Sequence, residues 1–456
     1  MTRLIHSLDS TMQRLAILTA GGDTPALNAT LYGAAKRCCE IDVELVGLIG
    51  GYRSLFDNAA PHVVLNPSGV TIPELDPTWG GTIIGSSRHY VDANDEDSIR
   101  KAITNLRRLK IDGLICVGGD GTINAMQALS SHLPVALAPK TIDNDLGLNY
   151  ANEGGEASGE QRQAILPSEM INYATPGYAT AVFVAADGLS RVRTTAESHS
   201  RVAIVEVMGR HSGYIAVGAS YGQPDIVLIP ECAIDPNRLC EQVREIYKAQ
   251  KHAIIVCGEG VVDADGNVIG SAKDSTDPAG NLLLNGAAEG LRRLLIDNIP
   301  DSFFQQYGSM QSAASSIFTR KVGHTQRGGR PLLFDRYYAA QLGAKAIDLL
   351  KDGQSNVLST LQYDNNTGFK VESLDADALR DSNGIIHARK VHPCFYDSAE
   401  MRISRIGVEY LLPIFENAIA SSDMEAVRQS VFDSGNLHHK YESVQVRIAR
   451  RTHHLT

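Results

Sequence analysis

Between Ala138 and Asp145 the chain reads Ala-Pro-Lys-Thr-Ile-Asp-Asn-Asp, which sets two carboxylates two residues apart beside a lysine and a threonine. Upstream lies Gly118-Gly119-Asp120-Gly121-Thr122. Phosphoryl transfer asks a protein for a base, a metal anchor and charge-neutralising donors, and these residue types are those parts. Asp143 is the candidate general base, taking the proton of an attacking hydroxyl. Asp145 is a candidate to hold Asp143 in place or to assist a metal ion. Thr141 can donate to the transferred phosphoryl oxygens, and Lys140 places positive charge where negative charge builds up. Asp120, at the glycine-rich turn, is the candidate anchor for Mg2+, directly or through water. Plainer readings exist for each: a turn or cap aspartate, a surface lysine, a tight strand-to-helix turn.

Further segments carry the same chemistry. Leu18-Thr19-Ala20-Gly21-Gly22-Asp23 and Gly80-Gly81-Thr82-Ile83-Ile84-Gly85-Ser86-Ser87-Arg88 have the composition of phosphate-cradling turns. Val205-Glu206-Val207-Met208-Gly209-Arg210, Gly258-Glu259-Gly260 and Gly323-His324-Thr325-Gln326-Arg327-Gly328-Gly329 follow in order. Arg201 on one segment, with His324 and Arg327 on another, are cationic donors of the kind that a phosphate dianion needs.

Taken together, these segments resemble the phosphofructokinase family over roughly residues 14–350. The resemblance implies a Mg2+-dependent, glycolytic phosphoryl transfer to the 1-hydroxyl of fructose 6-phosphate. It implies Asp143, Thr141, Asp145 and Arg210 in catalysis, Asp120 on the metal, and Gly21, Arg88, Gly121, Thr122 and Lys140 on the donor. Thr141, Asp143, Arg201, Met208, Gly209, Arg210, Glu259, His324 and Arg327 are implied on the sugar phosphate. In tetramers of the family, the residue matching Arg201 reaches in from a neighbouring subunit, so a homodimer or homotetramer is implied. Two departures stand out: Ala26 replaces a glycine of the first turn, and Phe318 replaces a phosphate-binding arginine, with Arg320 and Lys321 close by.

The donor implied is ATP or pyrophosphate. In the family a glycine at the Gly121 position leaves room for a nucleotide, whereas aspartate there goes with pyrophosphate. Lys140 is typical of pyrophosphate-dependent members and of some ATP-dependent ones, and the open glycine favours ATP. Other readings are an NAD or lipid kinase, resting on the GGDGT turn alone, and a regulatory subunit that binds sugar phosphate without turnover.

The elements that must position these residues alternate along the chain. Strand-like runs at Leu15–Leu18, Val43–Ile49, Gly113–Val117 and Val135–Leu137 interleave with helix-like runs at Ala26–Cys39, Asp97–Leu109 and Ile123–Leu129. A second series repeats this from Val202 to Cys257, and Leu282–Leu295 has helical periodicity. The alternation predicts an α/β protein with mostly parallel sheets covered by helices, and the resemblance implies two Rossmann-like three-layer domains with the active site in the cleft between them. The expected divisions are a donor-binding domain of 1–154 plus about 326–376, a sugar-phosphate domain of 155–325 and a C-terminal extension of 377–456. The basic end of that extension reads as a solvated tail.

Composition fits this picture. The 456 residues are 43% hydrophobic and 21% charged, as in globular chains. A net charge of -10 argues against nucleic acid as a partner. Seven scattered cysteines without a CxxC pair read as reduced thiols, and with no apolar run of membrane-spanning length the expected location is the cytoplasm.

Overall fold

The computed structural model describes residues 12–151, 153, 163–276, 282–284, 286–307, 312–381, 384–416, 418–419, 425, 429 and 443–455. β-branched and leucine-rich runs become strands β1 (Arg14–Ala20), β2 (Glu44–Leu48), β3 (His62–Val64), β4 (Ser86–Ser87), β5 (Gly113–Gly118) and β6 (Val135–Pro139). β7 (Val202–Val207), β8 (Ile226–Leu228) and β9 (Ala253–Gly258) follow, then the pair β10 (Ser271–Thr276) and β11 (Leu282–Leu284). β12 (Ile317–Lys321), β13 (Val357–Asp364) and β14 (Gly368–Asp375) complete the two main sheets.

The first sheet has the order β14-β13-β6-β5-β1-β2-β3, with β4 paired to the end of β1. Its ladders are parallel except at the two edges, β2 with β3 and β13 with β14. The second sheet, β12-β7-β9-β8, is parallel throughout. Parallel strands are buried on both faces, and β1 shows the consequence. Leu15 and Ile17 join the core under the helices Leu27–Glu40 and Leu333–Lys351, while Ala16, Leu18 and Ala20 join the core under Glu96–Arg108 and Asp120–Leu129. The first pair of helices crosses at backbone distance. A Cβ on Gly33 would lie 1.9 Å from the Ala340 carbonyl oxygen, and one on Gly343 would lie 2.2 Å from that of Thr30.

Two expectations are corrected. The helical periodicity of Leu282–Leu295 belongs to two elements, since 282–284 pair with β10 and the helix begins at Ala287. The basic C-terminal end is a docked element: the helix Val444–Ala449 buries Ile448, Arg451 pairs with Glu74 at 2.9 Å, and His453 bridges to His62. Among the described residues no helix is long and apolar enough to cross a membrane.

Candidate active site

The first sheet reverses its strand order between β1 and β5, and the two glycine-rich turns lie just past the C-terminal ends of those strands. Open α/β sheets bind ligands at this position. After β1 the backbone turns through Gly21 at φ +79°, a conformation that glycine adopts without a steric cost. The Gly21 amide donates to the Ser87 carbonyl at 3.0 Å and the Ser86 hydroxyl donates to the Gly21 carbonyl at 2.8 Å, which ties the first turn to the segment carrying Arg88. These residues border a cavity of about 500 Å³ that also includes Asp23 and Thr82. After β5, Gly119 is the N-cap of the helix that starts at Asp120, which sets a helix N-terminus and an acidic side chain past the strand end next to β1. Thr122 is buried with its side chain against Gly118, where it shapes the turn.

The loop after β6 brings the catalytic candidates to this crevice. Lys140 is buried and its ammonium donates to the Gly22 carbonyl. Burial lowers its pKa to about 8, and the nearby Arg327 charge acts in the same direction against Asp23, Asp143 and Asp145. Asp143 is partly buried, and its Oδ1 has no hydrogen-bond partner. Burial first, then the charge of Asp145, raises its pKa to about 7, with Glu259 adding to the rise and Arg327 and Lys140 opposing it. The Thr141 hydroxyl accepts from the Asp143 amide at 3.1 Å and donates to Asp145 Oδ1 at 2.7 Å. Thr141 therefore orders the loop here, since its single hydroxyl proton is committed to Asp145. Burial and the charge of Asp145 also push Asp120 well above the usual carboxylate range.

Asp145 lies within electrostatic reach of both Asp120 and Asp143, so a divalent cation beside it would offset charge on each pair. Among the described residues no group of three or more His, Cys, Asp or Glu is placed to hold a metal ion. This donor set suits Mg2+, which commonly takes one or two carboxylates and completes its shell with waters and substrate phosphates.

The second sheet supplies the opposite wall. Past β7, the Met208 amide donates to Gln326 Oε1 at 2.9 Å, and the buried Gln326 also reaches the Ala181 carbonyl at 3.3 Å. The Glu259 amide donates to the Val207 carbonyl at 2.9 Å. Glu259 is partly buried and raised by that burial against Lys321, Arg210 and Arg327. Gly209 and Gly260 follow the ends of β7 and β9, and a Cβ on Gly260 would strike the Arg210 carbonyl. Arg327 donates to the Asp23 carbonyl at 3.3 Å, so it stands between both walls. His324 is exposed on the turn Gly323–Gln326.

Arg201 is the candidate that the fold does not bring in within one chain. It precedes β7, whereas Met208, Gly209 and Arg210 follow the strand's other end, about 20 Å away. Its Nε is buried without a hydrogen-bond partner. Phe318 lies near the same end, opposite Ala203, with the Arg320 guanidinium 5.4 Å from its ring centre.

Sequence reasoning passed over several residues that hold the site. Arg389 is only 2% exposed; its guanidinium donates to the carbonyls of Asn144 and Asn172 and lies 4.9 Å from the centre of the Tyr214 ring. Asn144, in the left-handed region at φ +53°, donates to the Tyr410 hydroxyl at 2.7 Å and accepts from the Thr175 amide at 2.9 Å. Gln326 sits inside a run already singled out, and its neighbours His324 and Arg327 drew the attention. Arg389 and Tyr410 had no local signal, because they act from more than two hundred residues away.

An α/β fold with two glycine-rich turns, a carboxylate loop and an arginine-bearing opposite wall brings together the parts that phosphoryl transfer needs. The phosphofructokinase family model matches residues 14–154 and 170–350, and the chain belongs to that family. It is 31% identical over 392 residues to a pyrophosphate--fructose 6-phosphate 1-phosphotransferase of Dictyoglomus thermophilum, covering 85% of this chain and 97% of the relative. It is 34% identical over 359 residues to ATP-dependent 6-phosphofructokinase 2 of Streptomyces coelicolor, covering 76% and 91%. Among solved structures, the pyrophosphate-dependent phosphofructokinase of Nitrosospira multiformis superposes with a TM-score of 0.69 at 18% identity, over 90% of this chain and 92% of that one.

Proposed function

We propose that this protein is a 6-phosphofructokinase, transferring a phosphoryl group to the 1-hydroxyl of fructose 6-phosphate to give fructose 1,6-bisphosphate. The observation that carries the reading is Asp143: its Oδ1 lacks a partner, its pKa is raised to about 7, and it lies within electrostatic reach of Arg327 and Glu259. A base of that pKa takes the hydroxyl proton near neutral pH. In this reading Arg210, Glu259, His324 and Arg327 hold the sugar phosphate, with Met208 and Gly209 against the sugar. Gly21, Arg88 and Lys140 hold the donor phosphates, with Gly121 and Thr122 at the second turn. Asp120 would hold Mg2+, with Asp145 beside it, and the ion would neutralise charge on the donor phosphates. The donor side comprises 1–154 with about 326–376, the sugar side 155–325, and the extension 377–456. The free state of all seven cysteines supports a cytoplasmic setting.

ATP is the donor that Gly121 supports. Pyrophosphate is the second reading, supported by the buried Lys140 and by the Tyr90 ring, which occupies the space beside Gly121. A coupled assay with fructose 6-phosphate and Mg2+, run in parallel with ATP and with pyrophosphate, tests both. Turnover with one donor supports the reading. No turnover with either, while fructose 6-phosphate still binds, would favour a regulatory subunit.

A further inference from the structure

The space that Gly121 leaves open is taken by another side chain. A Cβ on Gly121 would lie 3.3 Å from Tyr90 Cζ and 3.5 Å from its hydroxyl. From the other turn, a Cβ on Gly21 would lie 3.3 Å from the same hydroxyl and 3.7 Å from Lys140 Nζ. The Tyr90 phenol therefore bridges the two phosphate turns, with its oxygen toward the inner corner made by Gly21 and Lys140. Tyr52 stands behind it, ring centres 6.1 Å apart, and is fixed by contacts of its hydroxyl with Cys116 Sγ and the Thr122 carbonyl, both at 3.1 Å. Tyr90 follows β4 in a loop and is 40% exposed, so it has room to swing outward.

The two donors differ in what they ask of this space. Pyrophosphate ends at its second phosphate and fits the inner corner, where a phenol hydroxyl can donate to a phosphate oxygen. A nucleoside triphosphate carries a third phosphate and a nucleoside, which must pass beside Gly121 where the ring lies. We propose that Tyr90 sets the donor preference: its ring penalises the nucleoside-bearing donor and its hydroxyl supports the inner phosphates. The inference rests on reading the crevice as a phosphoryl-donor site. Nucleotide entry requires the ring to move out, and the population of the outward state scales the apparent nucleotide affinity.

The test compares wild type, Tyr90→Ala, Tyr90→Phe and Tyr90→Trp. One readout is kcat/KM for ATP relative to pyrophosphate; the other is calorimetric binding of Mg-ADP and of Mg-pyrophosphate without sugar. Tyr90→Ala should shift both ratios toward the nucleotide by about tenfold or more, the scale of removing a pocket-filling group. Tyr90→Trp should shift them toward pyrophosphate, and Tyr90→Phe should keep the wild-type ratio while weakening both donors. An unchanged ratio in Tyr90→Ala, or a shift toward pyrophosphate, would overturn the proposal. The binding ratios answer the question even if no variant phosphorylates fructose 6-phosphate, so failure of the catalytic reading is separable from failure of this one.

Discussion

At the scale of single residues, Asp143 and Lys140 titrate close to neutrality, and this bounds activity from both sides. In the proposed roles Asp143 is ionised to take a proton and Lys140 is charged to hold phosphate, with pKa values of about 7 and about 8. The expected profile of kcat/KM against pH is a narrow bell with a rising limb near 7 and a falling limb near 8. Lys140→Met should remove the falling limb and lower kcat/KM by roughly 10- to 150-fold, the worth of one charge-assisted contact. A falling limb that persists in that variant would separate Lys140 from it. Asp143 also makes a stability prediction. Its pKa rises from 3.8 to about 7 on folding, so the folded chain binds this proton more tightly than the unfolded one. That contribution is present below about pH 4 and is lost as pH rises through 7. Asp143→Asn should therefore melt above wild type at pH 8 and close to it at pH 4, while turnover falls by roughly 10²- to 10⁴-fold. A variant that melts lower at pH 8 would contradict the burial argument. The aspartate motif was readable in the sequence because its members are neighbours. The occupant of the Gly121 space was not, since Tyr90 reaches it from a loop without periodicity.

At the scale of elements, the strands and the helix starts that carry the glycine-rich turns were legible because β-branched runs end in glycine there. The carboxylate loop is different: its geometry depends on the C-terminal segment. Arg389 fills three hydrogen-bonding directions around Asn144 and Asn172, and Tyr410 closes the same loop through Asn144 and through mutual bonds with Tyr173, each at 2.7 Å. These contacts join positions far apart in sequence, and a buried arginine looks like any other in a chain read alone. Arg389→Met keeps the volume and removes the donors, leaving two buried carbonyls without them at about 1–3 kcal/mol each. The expected result is a lower melting temperature together with a fall in kcat that exceeds any change in KM for fructose 6-phosphate. Arg389→Lys keeps the charge without the fork and should recover only part of kcat. Loss of stability with kcat intact would make Arg389 a packing residue only.

At the scale of the whole molecule, Arg201 is a proposed sugar-phosphate contact that a single chain does not bring to the crevice. Arg201 stands at the far end of β7 with a buried, unpartnered Nε, and the family resemblance implies that its counterpart enters a neighbour's site. An interface built on that exchange creates composite sites, each drawing Asp143 from one subunit and Arg201 from the other. The consequence is testable by mixing two inactive proteins. Arg201→Ala and Asp143→Ala should each show little activity alone. After subunit exchange by mild dissociation and reassociation, hybrids contain one site with both residues intact and one with neither. For random pairing of dimers, half the molecules are hybrids and half their sites work, so about a quarter of wild-type activity should return. If Arg201 acted within its own chain, every site in every hybrid would lack one residue and mixing would restore nothing. Size-exclusion chromatography of the mixture, with the variants differently tagged, would show whether hybrids had formed, so that a null result would count against the shared site.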